Sequence, residues 1–476
     1  MSNLNDSRRN FLKKMGGLGA GILAGISPSR NLYSSQTGEM TYTAQTRPGQ
    51  AMYMGGFQAP KLETVRCAFI GVGSRGSGHL RQIADIEGSE IVAISDLYED
   101  LALKAEATCK EKGKGTRHQN IALYHGSENG WKKMLQEVKP DAIIIATPWV
   151  LHAPMAIEGM KQGAHAFVEV PIALTIVEMW EIVNTSEQTQ KHCMMMENVN
   201  YGREELMYLN MCRQGVIGEL LHGEAAYIHE LRRQMQHEER KTGSWRTAHY
   251  AKRNGNLYPT HGLGPVAQYM NLARGEDNFT RLVSFSSPAK GRKAYATKNY
   301  PADHKWNKLD YQGGDINTSI IKTTLGRTIL VQWDETSPRP YSRLNLIQGT
   351  KGTLAGFPTR IALEGGVEGV TENHHEWVHE DQMQAIYEKY EHPLYKRIGE
   401  MAKKMGGHGG MDFIMRYRII ECLREGLPLD QNLYEGCFWS AVAPLSEASV
   451  AQDGAPQPFP DFTRGEWKKT KPLGIV

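Results

Sequence analysis

Cysteine is sparse in this chain and never clustered. The six cysteines, Cys67, Cys109, Cys193, Cys212, Cys422 and Cys437, lie far apart and form no C-x-x-C pair. Their mostly apolar surroundings suit buried, reduced thiols, which speaks against a disulfide framework and against a thiolate metal site. Charge of one sign is missing too: the formal net charge is +3, and basic residues alternate with acids, as in "HEERKTGSWR". A basic face for nucleic acid is therefore not expected. Long apolar runs are absent as well, since spanning a bilayer takes about 20 such residues, and no internal repeat is visible.

What is present is a loop-rich globular composition, with 40% hydrophobic residues, 22% charged residues and 49 glycines. At 476 residues the chain exceeds one comfortable core, so two domains with extensions are expected. The N-terminus adds "SRRNFLKK", Ser7 to Lys14, followed by the glycine-rich apolar run "MGGLGAGILAGI", Met15 to Ile26. Paired arginines before a weakly apolar core resemble a twin-arginine signal peptide. Residues 1–30 are read as that signal, with the twin-arginine export machinery as partner, a periplasmic destination and no stable membrane span. "ISPSR" leaves the cleavage point open. This route carries folded proteins, which suits one that loads a cytoplasmic cofactor before export.

Residues 31–60, rich in Ser, Thr, Gln, Gly and Met without a period, read as a linker. From 61 to 200, "VRCAFIGVG", "EIVAISD", "DAIIIATP" and "AHAFVEVP" are Val- and Ile-rich strands separated by helical patterns, the signature of a doubly wound parallel sheet. From 201 to 450 the texture turns to longer alternating runs such as "DINTSIIKTTLGRTILVQWDE", so an α+β domain with a large open, mainly antiparallel sheet is expected. "MDFIMRYRIIECLREGLP" reads as a late amphipathic helix, and 451–476 as a Pro- and Gly-rich tail.

"CAFIGVGSRGSGHL" places Gly71, Gly73 and Gly76 in G-x-G-x-x-G where a strand passes into a helix, a geometry that holds a pyrophosphate on backbone N–H groups. The next strand ends in Asp96, suited to the ribose hydroxyls, and Leu97-Tyr98 follow without an arginine for a 2′-phosphate. NAD is therefore the expected cofactor. "NLYPTHGLGP" sets Tyr258 and His261 three residues apart at a helix start, on one face. The pair reads either as proton-transfer groups acting on a sugar, or as a packed tyrosine beside a helix-capping histidine.

"ATPWVLHAPMAIEGMKQGAHAFVEVP" resembles the glucose-fructose oxidoreductase and inositol dehydrogenase family, whose Rossmann domain precedes an open sheet carrying the sugar site. In that family's dehydrogenases a proton-shuttling lysine separates the glutamate and proline that here are Glu169 and Pro171; this chain has Val170. The strings "SWRTAHY", "GNLYPTHGLGPVAQYMN", "SPRPYSRLNLIQGTKG" and "GGHGGMDFIMRYRIIECLREG" more closely resemble glycoside hydrolase family 109, NAD-dependent α-N-acetylgalactosaminidases on the same fold. The resemblance implies that Tyr227, Arg246, Tyr258, Pro259, Thr260, His261 and Tyr341 contact a small glycan ending in N-acetylgalactosamine. It likewise implies that Ser74, Arg75, Asp96, Trp149, Val150, Leu151, His152, Glu169, Val170 and Asn198 surround a tightly held NAD. The implied reaction oxidises C3, eliminates across C1–C2, adds water and re-reduces the ring. His261 would move the proton at the oxidised carbon, with Tyr258 assisting or acting at C2.

Two rival classes remain open on the sequence: an NAD-dependent sugar or cyclitol dehydrogenase, and a nonhydrolytic sugar- or NAD-binding protein. Whether the chain forms a homo-oligomer also stays open. "HHEWVHED" matches H-E-x-x-H at His375 to His379, but its polar context does not suit a zinc site and no metal is expected. "GGHGGMD" reads either as a turn with an Asp412 N-cap or as a loop on the cofactor or substrate side. Met194 to Met196 read as core filler.

Overall fold

Short Val- and Ile-rich segments at the start of the folded region pair side by side. Val65–Ile70 (β1), Ser89–Asp96 (β2), Ala122–His125 (β3), Ala142–Ile145 (β4), His165–Val168 (β5) and Cys193–Met195 (β6) form a six-stranded parallel sheet in the order β3-β2-β1-β4-β5-β6. β4 and β5 are buried along their whole lengths, which is why they read as unbroken apolar runs. The order reverses between β1 and β4, so a crevice opens at the carboxyl ends of these strands. The computed structural model describes residues 46–113, 117–368, 370–372 and 375–474; the twin-arginine segment lies outside them.

The second sheet has eight strands: Leu220–Ile228 (β7), Phe279–Ser286 (β8), Ile316–Thr323 (β9), Thr328–Asp334 (β10), Leu346–Gly349 (β11), Gly352–Ala355 (β12), Arg360–Leu363 (β13) and Gln457–Pro458 (β14). Their order is β13-β12-β11-β7-β10-β9-β8-β14. Neighbours are antiparallel except β7 and β10, which pair in parallel, so the sheet is mainly antiparallel, as expected. The helix Thr260–Tyr269 lies directly on β7, since a Cβ on Gly262 would fall 2.2 Å from the Ala226 nitrogen.

A 19-residue helix, Leu433–Ala451, joins the two sheets. It packs against β8 on one side and against β6 and the helix Ile176–Thr189 on the other. Asn432 and Glu435 close its N-terminus as a capping box, and Glu435 also pairs with buried Arg274 at 2.6 Å.

The expected linker and tail are both docked in their described parts. Met54 is buried and its N–H donates to the Tyr434 hydroxyl at 3.0 Å, while Arg47 pairs with Glu187 at 3.2 Å. In the tail, β14 extends the second sheet beside β8, and Phe462 is fully buried. Apolar side chains inside these polar stretches supply the anchoring that composition alone concealed. All six cysteines are free thiols, five of them buried. Among the described residues no helix is long and apolar enough to cross a membrane.

Candidate active site

The glycine-rich turn has the geometry its spacing implies. Gly71 has a φ of +85°, and a Cβ on Gly76 would lie 1.9 Å from the Gly71 carbonyl oxygen, so neither position accepts a side chain. Gly73 has open space around it, and no side chain caps the helix Gly76–Asp85. Asp96, at the end of β2, accepts from the N–H groups of Val72 and Tyr98 at 2.8 and 2.9 Å and so braces the turn. A cradle that a Cβ would fill, an uncapped helix start and a carboxylate beside it suit a dinucleotide. Trp149 is 2% exposed with its indole N–H unpartnered, and Asn198 is buried and donates to Asp412.

Glu169 follows β5 and is not alone. Its Oε1 accepts from Arg75 Nε at 2.9 Å and from His79 Nε2 at 2.7 Å. Burial would raise its pKa, but the Arg75 charge and the His79 hydrogen bond outweigh burial and hold it well below the carboxylate range. His79 is pushed down to about 4, by burial first and then by the Arg416 charge. It is therefore neutral: Nδ1 accepts from Arg416 Nε at 2.7 Å, which leaves Nε2–H to donate to Glu169. Arg75 extends the chain of contacts to Asp412 Oδ2 at 3.1 Å, whose Oδ1 accepts from Asn198 Nδ2 at 2.7 Å. Val170, beside Glu169, is 2% exposed and sits in the apolar core.

The second domain contributes an aromatic box. Tyr258 lies 4.7 Å from Tyr227, 4.9 Å from the His261 ring and 6.0 Å from Trp149, centroid to centroid, so Trp149 of the first domain forms one wall. Arg246 stacks its guanidinium 4.9 Å from Trp149 and 5.0 Å from Tyr258. Its Nε is buried and unpartnered. Burial would lower the Arg246 pKa, yet the surrounding Tyr250, Tyr258, Glu335 and Tyr227 groups raise it, so the guanidinium stays charged. Tyr341 stands 6.3 Å from Tyr227 and is 40% exposed at the outer rim, where its hydroxyl accepts from Arg343 Nη1 at 2.9 Å.

His261 is held by a residue that sequence reasoning did not single out. Its Nδ1 lies 2.7 Å from Oε1 of Glu197, a fully buried carboxylate. Gly264 makes this approach possible, because a Cβ there would fall 2.7 Å from Asn200 Oδ1 and 3.1 Å from Glu197 Cγ. The imidazole is thus not a helix cap: it sits one residue into the helix Thr260–Tyr269 and turns Nε2 away from Glu197. Burial raises the Tyr258 and Tyr227 phenols well above their ordinary value, so both stay protonated. The Tyr227 hydroxyl lies 2.8 Å from Nδ1 of His229, a second residue missed from sequence.

Tyr227, Arg246, Tyr258, His261 and Trp149 are therefore brought into one place, with Tyr341 at its edge. Pro259 and Thr260 are buried beneath it, and the Thr260 hydroxyl is unpartnered. Ser74 is exposed on the glycine-rich turn, and Val150 is 51% exposed next to half-buried Leu151. His152 has both ring nitrogens against backbone carbonyls, Nδ1 at 2.7 Å from Pro171 and Nε2 at 2.9 Å from Thr147. Its influence on a cofactor would run through the two loops it braces. The H-E-x-x-H stretch is not helical; His379 precedes a three-residue turn, Glu380–Gln382. Asp412 does not cap its helix but lies inside Met411–Glu425 with its carboxylate turned to Arg75.

The glycosyl hydrolase 109 C-terminal domain matches residues 201–469, and the NAD-binding Rossmann fold of an oxidoreductase family matches residues 65–197. The chain is 64% identical to glycosyl hydrolase family 109 protein 1 of Akkermansia muciniphila, and 53% identical to a protein of Shewanella oneidensis named alpha-N-acetylgalactosaminidase, each over 99% of both chains. Among solved structures, a levoglucosan dehydrogenase in complex with NADH and L-sorbose superimposes with a TM-score of 0.64 at 17% identity, covering 84% of this chain and all of the other. That likeness speaks for the fold. Rossmann sheet, dinucleotide cradle and hydrolase domain converge: the chain is an NAD-binding glycoside hydrolase and belongs to glycosyl hydrolase family 109.

Proposed function

We propose that this hydrolase releases terminal α-N-acetylgalactosamine from small glycans and restores its NAD in every turnover. The name and 53% identity of the Shewanella oneidensis relative support the substrate class. When bound, the cofactor supplies reversible two-electron oxidation of a ring carbon, proposed at C3, which lets the C1 substituent leave by elimination without paired catalytic carboxylates. Gly71, Gly73, Asp96, Trp149 and Asn198 would hold it.

The chain's own contribution is proton movement and orientation. With Nδ1 at Glu197, the free nitrogen of His261 is Nε2, and it takes the proton released at the sugar. The buried carboxylate on the far side fixes the tautomer and orientation of the ring. Tyr258, protonated because it is buried, donates a hydrogen bond to a sugar oxygen and keeps its own proton. Arg246, fixed between Trp149 and Tyr258, orients the acetamido and hydroxyl oxygens, and Tyr227 and Tyr341 complete the wall. The Glu197–His261 contact carries this reading, because it provides a base where Val170 provides none.

The direct test of substrate class is an aryl α-N-acetylgalactosaminide beside the matching α-galactoside and the β-anomer. Rapid aglycone release from the first alone supports the proposal; equal rates on all three would refute it.

Export by the twin-arginine route to the periplasm belongs to the same proposal and rests on Arg8-Arg9 followed by Asn-Phe-Leu-Lys. Replacing both arginines by lysine should retain the protein in the cytoplasmic fraction, and unchanged fractionation would sink the assignment.

A further inference from the structure

Asp412 belongs by sequence to the second domain, yet its buried carboxylate sits among the loops at the carboxyl edge of the first sheet. Oδ2 accepts from Arg75 Nη1 at 3.1 Å and from His408 Nδ1 at 3.0 Å, and Oδ1 accepts from Asn198 Nδ2 at 2.7 Å. Arg75 closes the glycine-rich turn after β1, and Asn198 follows β6. Ligands of open α/β sheets bind in the crevice between such loops. Through Arg75, the same carboxylate is linked to Glu169 after β5.

The backbone leading to Asp412 is shaped for this approach. Gly406, Gly407, His408, Gly409 and Gly410 all have positive φ, at 73°, 82°, 47°, 72° and 103°. Glycine follows that course without steric cost, which accounts for four glycines in five positions. A Cβ on Gly407 would fall 2.7 Å from Asp412 Cβ and 3.1 Å from Gln82 Nε2, so a side chain there would push the loop off the carboxylate.

Two further contacts run parallel to the first. Gln82 Nε2 donates to the carbonyls of Met405 and Gly406 at 3.1 and 2.9 Å, and Arg416 Nε donates to His79 Nδ1 at 2.7 Å. His79 and Gln82 lie on the helix Gly76–Asp85, whose N-terminus faces the dinucleotide cradle. The second domain therefore grips the cofactor helix along its length, with Asp412 at the N-terminal end.

From this geometry we propose that Asp412 is a positioning residue of the cofactor site, fixing Arg75 and Asn198 across the crevice so that bound NAD exchanges slowly. The proposal rests on Arg75 and Asn198 as cofactor contacts and does not depend on which glycoside is cleaved.

Exchange can be followed without turnover. The full-length protein with NAD bound is mixed with isotopically labelled NAD, desalted at intervals, and its bound nucleotide measured by mass spectrometry. Asp412→Asn, which keeps the shape and removes the charge, should quicken exchange at least tenfold, and Asp412→Glu should recover part of the loss. Combining Asp412→Asn with Arg75→Lys should give less than the product of the single effects, because both act on one contact. Exchange at the native rate in Asp412→Asn, or fully multiplicative effects in the double variant, would overturn the proposal. Should Asp412→Asn fail to fold, Gly407→Ala displaces the loop while leaving the carboxylate chemically intact. Faster exchange in that variant supports the proposal, and native exchange overturns it.

Discussion

Arg75 and Glu169, 94 positions apart, are joined by a 2.9 Å hydrogen bond from Nε to Oε1. The glutamate that follows β5 without a basic neighbour in sequence is thus paired across the sheet edge, and His79 donates to the same oxygen at 2.7 Å. An ionised, fully engaged Glu169 beside an apolar Val170 leaves no free base at the place where a dehydrogenase would carry its lysine.

Replacing Val170 by lysine tests that point. The site is buried, so an ammonium there must be desolvated or paired with Glu169 at the expense of Arg75. Val170→Lys is expected to lower thermal stability and reduce hydrolysis without producing net NADH from a free sugar. Steady NADH accumulation in this variant would show that the valine alone separates hydrolase from dehydrogenase.

Removing the imidazole should remove the chemistry and spare the cofactor. His261→Ala is expected to lower kcat by about 10²- to 10⁴-fold, the usual worth of a general base, with NAD retained on desalting. Glu197→Gln should lower kcat on the order of 10²-fold while the fold persists, because the carboxylate that holds the imidazole in its tautomer and orientation is gone. Native kcat in either variant would remove that residue from the proposed mechanism.

Tyr258→Phe separates the hydroxyl from the ring. The ring still stacks on Tyr227 and under Arg246, so KM should change little, whereas loss of a buried donor should cut kcat about tenfold or more. A raised KM with native kcat would instead place Tyr258 in binding alone.

Stability should fall on mild acidification. Burial lowers His79, His192 and His392 to about 4 and His165 to about 3. Unfolded histidines titrate near 6.5, so between about pH 6.5 and 4 the unfolded chain binds protons that the folded chain refuses, and stability drops as pH falls. Glu169, held low, works in the same direction at the acid end of that window. Denaturant midpoints measured across this range should decline steadily below pH 6.5; a flat profile would contradict the assignment of these histidines as neutral.

The parts of this site legible in sequence are those encoded locally. Gly71, Gly73 and Gly76 with Asp96 span one strand–helix–strand unit, and Tyr258 and His261 lie three residues apart, Tyr258 just before the helix Thr260–Tyr269 and His261 in its first turn. Tyr227, Arg246 and Tyr341 were reached only through resemblance, since each comes from a different segment. Glu197 stood in "MMMENVNY", beside a run that reads as core packing, and meets His261 across 64 positions. Asp412 meets Arg75 across 337. The helix Leu433–Ala451 escaped because it is buried on nearly every side and so lacks an amphipathic stripe, with Pro444 inside it as a further false break. The parallel pairing of β7 with β10 joins strands that are not neighbours in sequence, which alternation alone does not specify.

On the proposed mechanism, oxidation serves as an intermediate step of hydrolysis and is undone within the same turnover. Purified protein without added NAD, given an aryl α-N-acetylgalactosaminide while aglycone and the NADH absorbance band are followed together, tests it directly. Aglycone release over many turnovers with no rise at the NADH band is the expected result. NADH that accumulates in step with product, or release that stops after one equivalent until NAD is supplied, would contradict it.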